Sequence, residues 1–514
     1  MNYKNLIVSA TLLLSMGSCT KLDEKYNSQI TFDPNAAAGS NPNAANLLTA
    51  VYNSMRGTFQ GQEGVWALSE MTTDELIGPT RGGDWDDNGA WRVLHSHRFD
   101  GDHIRIREVY ENLGSVIYQA TDLLRFSPTL QQAAEARLIR AMASYLWLDG
   151  WDQVPYREPG ESTVAPAKVR KGIVAFDYIV SEINAALPNL PVGPAKLANK
   201  DAAKVLLMKC YLNKGVYKNR TSPSFDAADM QQVITLADQV ISSPRSYSFS
   251  TKYFDNFAPS NDVIGKENIW TQENVGGTSS GNIRSRWHAV THYNQNPSGW
   301  NGFSTLSDFY NKFEATDSRR GIAYPTNSAT YTNPGNRINI GFMVGQQYNL
   351  STDAALKDRT GANLSFTPAV SIIEKGTNLE VTGIRAYKYA IDYPNADNGN
   401  WDNDYVYFRL GDVLLMKAEA QLRSSNAAGA LLVVNALRAN RGATPLASLT
   451  LDNLIDERGR ELYLESWRRQ DLIRFGKFLE AFQEKPASTP TYLLFPIPNT
   501  QLAANPNLTQ NPGY

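Results

Sequence analysis

An abrupt change of periodicity along the chain constrains the fold more than any other feature. Over 45–58, 105–126, 130–151, 173–187, 201–215 and 227–242 apolar residues recur at i, i+3, i+4 spacing, the pattern of amphipathic helices. Small residues stand where such helices must approach one another, as in Ala133-Ala134-Glu135-Ala136, Ala141-Met142-Ala143 and Ala202-Ala203. Between Tyr247 and Tyr405 the periodicity lapses. Twenty of the chain's 43 asparagines fall in residues 246–405, so turns and irregular loops fill this stretch. Short β-prone runs within it, Asn268-Ile269-Trp270 and Arg385-Ala386-Tyr387-Lys388-Tyr389, are expected to pair locally. Helical text returns at 409–423 and 426–440, and 492–498 reads as a strand closed by prolines. The pairs 201–217 with 227–241 and 409–423 with 426–440 have the size of tetratricopeptide-like units but lack that repeat's signature residues. The expected class is mostly α, with helix pairs and a long irregular half carrying short strands.

The N-terminus reads as an export signal. One lysine, Lys4, precedes an apolar run from Leu6 to Met16, well short of the roughly 20 residues a membrane span needs. It ends in Met16-Gly17-Ser18-Cys19, which resembles a bacterial lipobox, so Cys19 is expected to be the lipidated (palmitate-bearing) N-terminus after cleavage. Several acyl chains, each buried methylene contributing about 0.8 kcal/mol, hold such a protein on a membrane and not in it. The expected organisation is a signal peptide over 1–18, the lipidated cysteine and tether over 19–45, and one domain over 46–514. That domain divides into a helical part (46–245), a loop-rich insertion (246–405) and C-terminal helices (406–514). The other cysteine, Cys210, then has no disulfide partner and reads as a small core residue.

Forty-nine basic against 51 acidic side chains leave a formal charge of −2, which is not the electrostatic footprint of a nucleic-acid binder. Aromatic residues make up 11 %, enough flat ring surface to suggest a stacking ligand. They concentrate with polar residues in two places. The segment from Thr73 to Asp102 holds Asp74, Arg81, Asp84, Trp85, Asn88, Trp91 and Arg92; the second holds Arg284, Arg286, Trp287, His288, Tyr293, Trp300 and Asn301. Sugars present apolar C–H faces beside hydroxyl edges, so rings flanked by Asp, Asn and Arg suit them. Trp147, Trp270 and Trp467 lie on apolar-periodic text and are assigned to the core.

Other chemistry is weaker. Glu457, Glu461 and Glu465 at i, i+4, i+8, followed by Arg468, Asp471 and Arg474, could be the acid and base of a glycosidase, but a charge-paired structural helix is favoured. Asp84-Trp85-Asp86-Asp87-Asn88-Gly89 matches half of a calcium loop, yet His95 stands where the bidentate Glu is required. His95, His97 and His103 invite a zinc reading, but they have no cysteines near them and stand in loop-like text. No metal and no cofactor is expected, and neither a phosphate-cradling glycine loop nor a Gly-x-Ser-x-Gly turn occurs.

Two blocks carry a family resemblance. Tyr407-Phe408-Arg409-Leu410-Gly411-Asp412-Val413-Leu414-Leu415-Met416-Lys417-Ala418-Glu419-Ala420 is similar to the "RyaevlLmyAEA" helix of SusD/RagB-like proteins. Glu457-Arg458-Gly459-Arg460-Glu461-Leu462-Tyr463-Leu464-Glu465, continuing through Arg468 and Asp471 to Arg474, resembles their "ERrrELafEg.R..DLrRw" block. Asn435 to Gly442, Trp151-Asp152-Gln153-Val154-Pro155-Tyr156 and Leu494-Phe495-Pro496-Ile497-Pro498 fit further family segments, although Gly459 interrupts the helix pattern. The resemblance implies a SusD-like fold and a binder, not an enzyme: a surface lipoprotein of the outer membrane that captures oligosaccharide for a SusC-like TonB-dependent transporter. It points to Asp74, Arg81, Trp85, Trp91, Trp287, Tyr293, Trp300 and Asn301 as ligand-binding residues. Alternatives are a RagB-type peptide binder, a secreted hydrolase and a helix-pair interaction scaffold.

Overall fold

The computed structural model describes residues 37–40 and 43–514; Cys19, the leader and most of the tether lie outside the described residues. The helical text folds as its periodicity requires. Helix α1 (Ala44–Gln60) buries Val51, Met55 and Phe59 along one stripe, and α2 (Val65–Glu70) and α3 (Ala90–His95) follow. The scaffold continues through α4 (Ile104–Leu124), α5 (Leu130–Trp151), α6 (Gly172–Ala186), α7 (Lys200–Lys218) and α8 (Ala227–Ile241). Near the C-terminus come α9 (Leu410–Arg423), α10 (Ala427–Asn440), α11 (Leu451–Leu462) and α12 (Arg468–Arg474).

Each scaffold helix packs on the next, α1 on α4, then α4, α5, α6, α7 and α8 in series, and α8 is followed in space by α9 and α10 from the far end of the sequence. Helix α5 sits in the middle of this series. It is buried on nearly every side, and its alanines let α4 and α6 approach. Side-chain caps set several starts: Thr129 and Gln132 form a reciprocal capping box on α5, Asn199 accepts from Ala202 N on α7, and Thr450 with Asn453 closes α11.

The irregular half is organised by short antiparallel pairings. Strands β1 (Gln153–Tyr156) and β2 (Lys168–Lys171) make a hairpin beside the helices. Strand β3 (Asn268–Gln272) does not pair locally as expected; it joins β9 (Tyr405–Arg409), which places the two ends of the loop-rich stretch side by side. Between them β4 (Gly321–Ile322), β5 (Ile340–Met343) and β8 (Arg385–Tyr387) form a three-stranded sheet, and β6 (Gly345–Gln346) pairs with β7 (Ser365–Phe366). The segment 492–498 is not a strand. Pro490–Leu493 is a single 3₁₀ turn, and the prolines that follow leave few N–H groups for a ladder.

The glutamate ladder is also interrupted. Helix α11 ends at Leu462, and Leu464 and Ser466 adopt left-handed backbone, so Glu465 leaves the helix face that Glu457 and Glu461 share. All three carboxylates are nonetheless sealed in one ion cluster. Arg409 bonds Glu461 at 2.6 Å and Glu465 at 2.6 and 2.8 Å; Arg441 bonds Glu267 and Glu461 at 2.8 Å; Arg319 reaches Asp317, Glu457 and Glu461 at 2.6, 2.8 and 3.0 Å. Burial alone would raise Glu457, but the guanidiniums of Arg319, Arg460 and Arg438 outweigh it and hold the carboxyl down at about 2. These are structural ions. Cys210 is a buried free thiol in α7, and among the described residues no helix is long and apolar enough to cross a membrane.

Candidate functional site: an aromatic platform and an adjoining cavity

The two polar-aromatic segments converge. Trp85 lies against the loop that carries Trp300, its Nε1 donating to Trp300 O at 3.0 Å and its ring meeting Phe303 edge-on at 5.0 Å. The approach is close enough that a Cβ on Gly302 would come within 2.5 Å of the indole, so glycine is required there. Trp300 is 42 % exposed, which for an indole in a well-packed protein means an open face. Its inner edge meets His288 at 4.7 Å. Tyr293, half-buried, carries the Arg359 guanidinium over its ring at 4.3 Å, and Asp84 acts electrostatically on both. Arg359 and His292 are tethered in turn by Glu380.

The other expected ligand residues brace this surface or belong to the core. Arg81 is buried, with Nε on Gly302 O at 2.9 Å, Nη2 on Ser304 Oγ at 2.8 Å and Nη1 on Glu374 at 3.2 Å. Burial brings its pKa down to about 10, Glu374 opposing. Asn301 takes left-handed backbone, which asparagine tolerates, and its Oδ1 accepts from Arg385 Nη2 at 2.7 Å. Asp74 is bound by Arg468 through two contacts of 2.7 Å. Trp91 is a core ring, wedged against Phe303 at 4.9 Å with its Nε1 on Asp87. Trp287 is likewise buried, tilted against Trp401 at 5.7 Å. Neither presents a face to solvent, because tertiary packing covers both.

Arg359, Glu380 and Arg385 are the platform residues that sequence reading missed. Arg359 and Glu380 stand singly in aperiodic text, and nothing local marks Arg385, buried on β8, as the brace for Asn301. The three histidines near the first segment are consumed by structure. His95 bridges Leu76 O and Gln483 O at 3.2 Å, His97 joins Thr72 O to Ser488 Oγ at 2.9 Å, and His103 bonds Ala90 O at 2.9 Å while capping α4. The half calcium loop follows one 3₁₀ turn, Arg81–Gly83, and ends in a second, Asp87–Gly89, with Asp86 paired with Arg92 and Asp87 bonded by Trp91. Among the described residues no group of three or more His, Cys, Asp or Glu is arranged to hold a metal.

Behind the 291–301 loop lies a cavity of about 390 Å³, within the range of small-ligand sites. The three-stranded sheet forms part of its wall, and Trp287, Asn296, Tyr310, Arg320, Arg337 and Tyr348 line it.

A family model described as the SusD family matches residues 266–514, the part that contains β3, the sheet, the ion cluster and α9 to α12. That part of the chain belongs to the SusD family. Across the longer range, the Starch-binding protein SusD of Bacteroides thetaiotaomicron is 27 % identical, over 89 % of this chain and 87 % of that one. SusD-like protein P25 of Formosa agariphila is 23 % identical, with full coverage of both chains. Solved structures share the SusD-like fold at lower identity. A laminarin-binding SusD-like protein superposes with a TM-score of 0.66 at 20 % identity, covering 93 % of this chain and 100 % of that one. A SusD superfamily protein from Parabacteroides distasonis reaches 0.70 at 19 % identity, covering 92 % and 98 %.

Proposed function

We propose that this SusD-like protein is a cell-surface lipoprotein that captures glycan on the platform of Trp85, Tyr293 and Trp300 and passes it to a SusC-like TonB-dependent transporter. The observation that carries the reading is the exposed Trp300 face beside a second indole and a tyrosine, ringed by Asp84 and Arg359. Rings of this kind stack on the C–H face of a pyranose, and the flanking charges take its hydroxyls. Arg81 and Asn301 act in this reading as positioning residues that hold the two loops in register, and Asp74 ties the first segment to Arg468 of α12. The names of relatives that bind starch and laminarin support the same ligand class. Attachment through Cys19 and delivery to the transporter rest on the lipobox-like text and the family resemblance.

The activity is binding, with no bond broken. The glutamates a hydrolase would need, Glu457, Glu461 and Glu465, are each bound by arginines or lysine and buried away from the platform.

Affinity electrophoresis of the chain from Thr20 through gels containing a panel of polysaccharides tests the reading. At least one glycan is expected to retard the protein, and Trp300→Ala is expected to weaken binding about tenfold or more, the loss typical of an aromatic anchor. Retardation by no polysaccharide, or a Trp300→Ala variant that binds unchanged, would sink it.

A further inference from the structure

The cavity behind the platform loop differs in charge from the platform. Its charged lining residues are Arg320 and Arg337, and no Asp or Glu is among them. Arg320 is the informative one. Its neighbour Arg319 is saturated by Asp317, Glu457 and Glu461, whereas Arg320 has no carboxylate partner among the described residues. It is held instead by the Tyr310 hydroxyl and lies over the Tyr310 ring at 4.5 Å. Arg337 is stacked on Tyr348 at 3.4 Å, and its one acidic contact, Asp353 at 2.7 Å, is on the exposed side and outside the cavity lining. Two guanidiniums, each oriented by a tyrosine ring, thus face a space large enough for a small ligand, with no anion of the protein's own inside it. Guanidinium forks recognise planar carboxylates and sulfate-type oxyanions through paired N–H donors. Tyrosine walls and the amides of Asn296 and Asn336 suit the ring and hydroxyls of a sugar.

We propose that this cavity binds an anionic sugar unit, one carrying a carboxylate or a sulfate ester, so that the preferred glycan is an acidic one. The inference rests on the glycan-binding reading and adds the substrate class. It also divides the work between two sites that share one loop: Trp300 and Trp85 hold the chain of sugars, and Arg320 and Arg337 select its charge.

Titration calorimetry on the full mature chain distinguishes the possibilities, with four probes: an oligogalacturonate, an oligosaccharide of sulfated galactan, a neutral laminari-oligosaccharide and a poly-glutamate peptide. The expected result is that an acidic saccharide binds most tightly. Arg320→Gln and Arg337→Gln should each weaken it about tenfold, Arg320→Lys should recover part of the loss, and added salt should weaken binding further. The galacturonate and sulfated arms tell carboxylate from sulfate. Thermal melts establish that each variant is folded, and Arg337, on an exposed loop, supplies a test should Arg320→Gln destabilise the sheet. A neutral oligosaccharide that binds as tightly as either acidic one, is weakened by Trp300→Ala and is unaffected at Arg320 and Arg337 would overturn the inference and leave the platform intact. Failure of both acidic saccharides to bind, or arginine-dependent binding of poly-glutamate alone, would overturn it as well.

Discussion

At the scale of single residues, the protein places ionisable groups where burial and not solvent sets their behaviour. Glu70 and Glu75 are fully buried near one another, Glu70 accepting from Ser466 N at 2.5 Å and Glu75 from Leu464 N at 2.9 Å. The remaining oxygens, Glu70 Oε2 and Glu75 Oε1, lack a hydrogen-bond donor, and one proton shared between the two carboxyls satisfies both. Burial pushes Glu70 up to about 7, and burial with the charge of Glu70 pushes Glu75 up as well. A carboxyl raised in the folded state stabilises the fold below its ordinary value of 4.5, and that contribution disappears as pH rises toward 7. Glu70→Gln, which carries its own amide protons, is therefore expected to flatten a stability loss on the order of 2 kcal/mol between those pH values. Melting temperatures at pH 4.5 and 7 for the two proteins check this; parallel curves would show that the pair holds no shared proton.

At the scale of elements, α11 and the turn after it show what a local pattern can and cannot specify. Gly459 looks like a helix interruption in sequence, yet it sits inside α11 with no break in the helix. The reason is on another element: a Cβ there would lie 2.8 Å from Arg468 Nη1 and 3.2 Å from Phe309 Cε2. Arg468 is held at that spot by Asp74 and by Ile455 O at 2.8 Å, so it has little room to move. Gly459→Ala is thus expected to destabilise by about 1–3 kcal/mol despite alanine's better helix propensity, through overpacking. Denaturant unfolding with an unchanged m-value and a lower midpoint would report this; a stabilised variant would refute it. The helices themselves were legible because periodicity is local, and α4 to α8 begin and end within a few residues of where spacing puts them. The end of α11 was not legible, because the left-handed turn at Leu464 and Ser466 answers to the buried carboxylates of Glu70 and Glu75 nearly four hundred residues away.

At the scale of the whole molecule, the ion cluster is the joint between the two halves. Glu267 and Arg319 come from the irregular half, Arg409 from the end of β9, Arg441 from the turn after α10 and Glu457 and Glu461 from α11, and every one is buried. A buried network of this kind contributes little relative to apolar packing, but removing one partner strands the others at a cost of about 3–5 kcal/mol. Glu457 and Glu419 are both held down at about 2 by surrounding arginines against the opposing effect of burial. A carboxylate lowered in the folded state stabilises it above the ordinary value of 4.5, and the contribution is lost as pH falls toward 2. The melting temperature is therefore expected to fall steadily from pH 4.5 to pH 2, with the helical scaffold and the irregular half unfolding together. Circular dichroism, together with tryptophan fluorescence, follows both halves; a flat profile, or early loss of one half, would break the claim that the cluster joins them.

The amino-acid sequence by itself determined the helix-pair scaffold, the position of the irregular half, the family and the two segments that converge on the platform. All of these follow from local spacing or from motifs contiguous in the chain. The tertiary structure decided which rings face solvent. Trp300 stands open with the half-buried Trp85 beside it, whereas Trp91 and Trp287, flanked by the same kinds of residues, are covered by Phe303 and Trp401. It also decided that Arg319 is saturated while Arg320 is left facing a cavity. The physical reason is the same in each case: burial and charge compensation are set by partners distant in sequence, and a linear pattern carries no record of which distant residue will arrive.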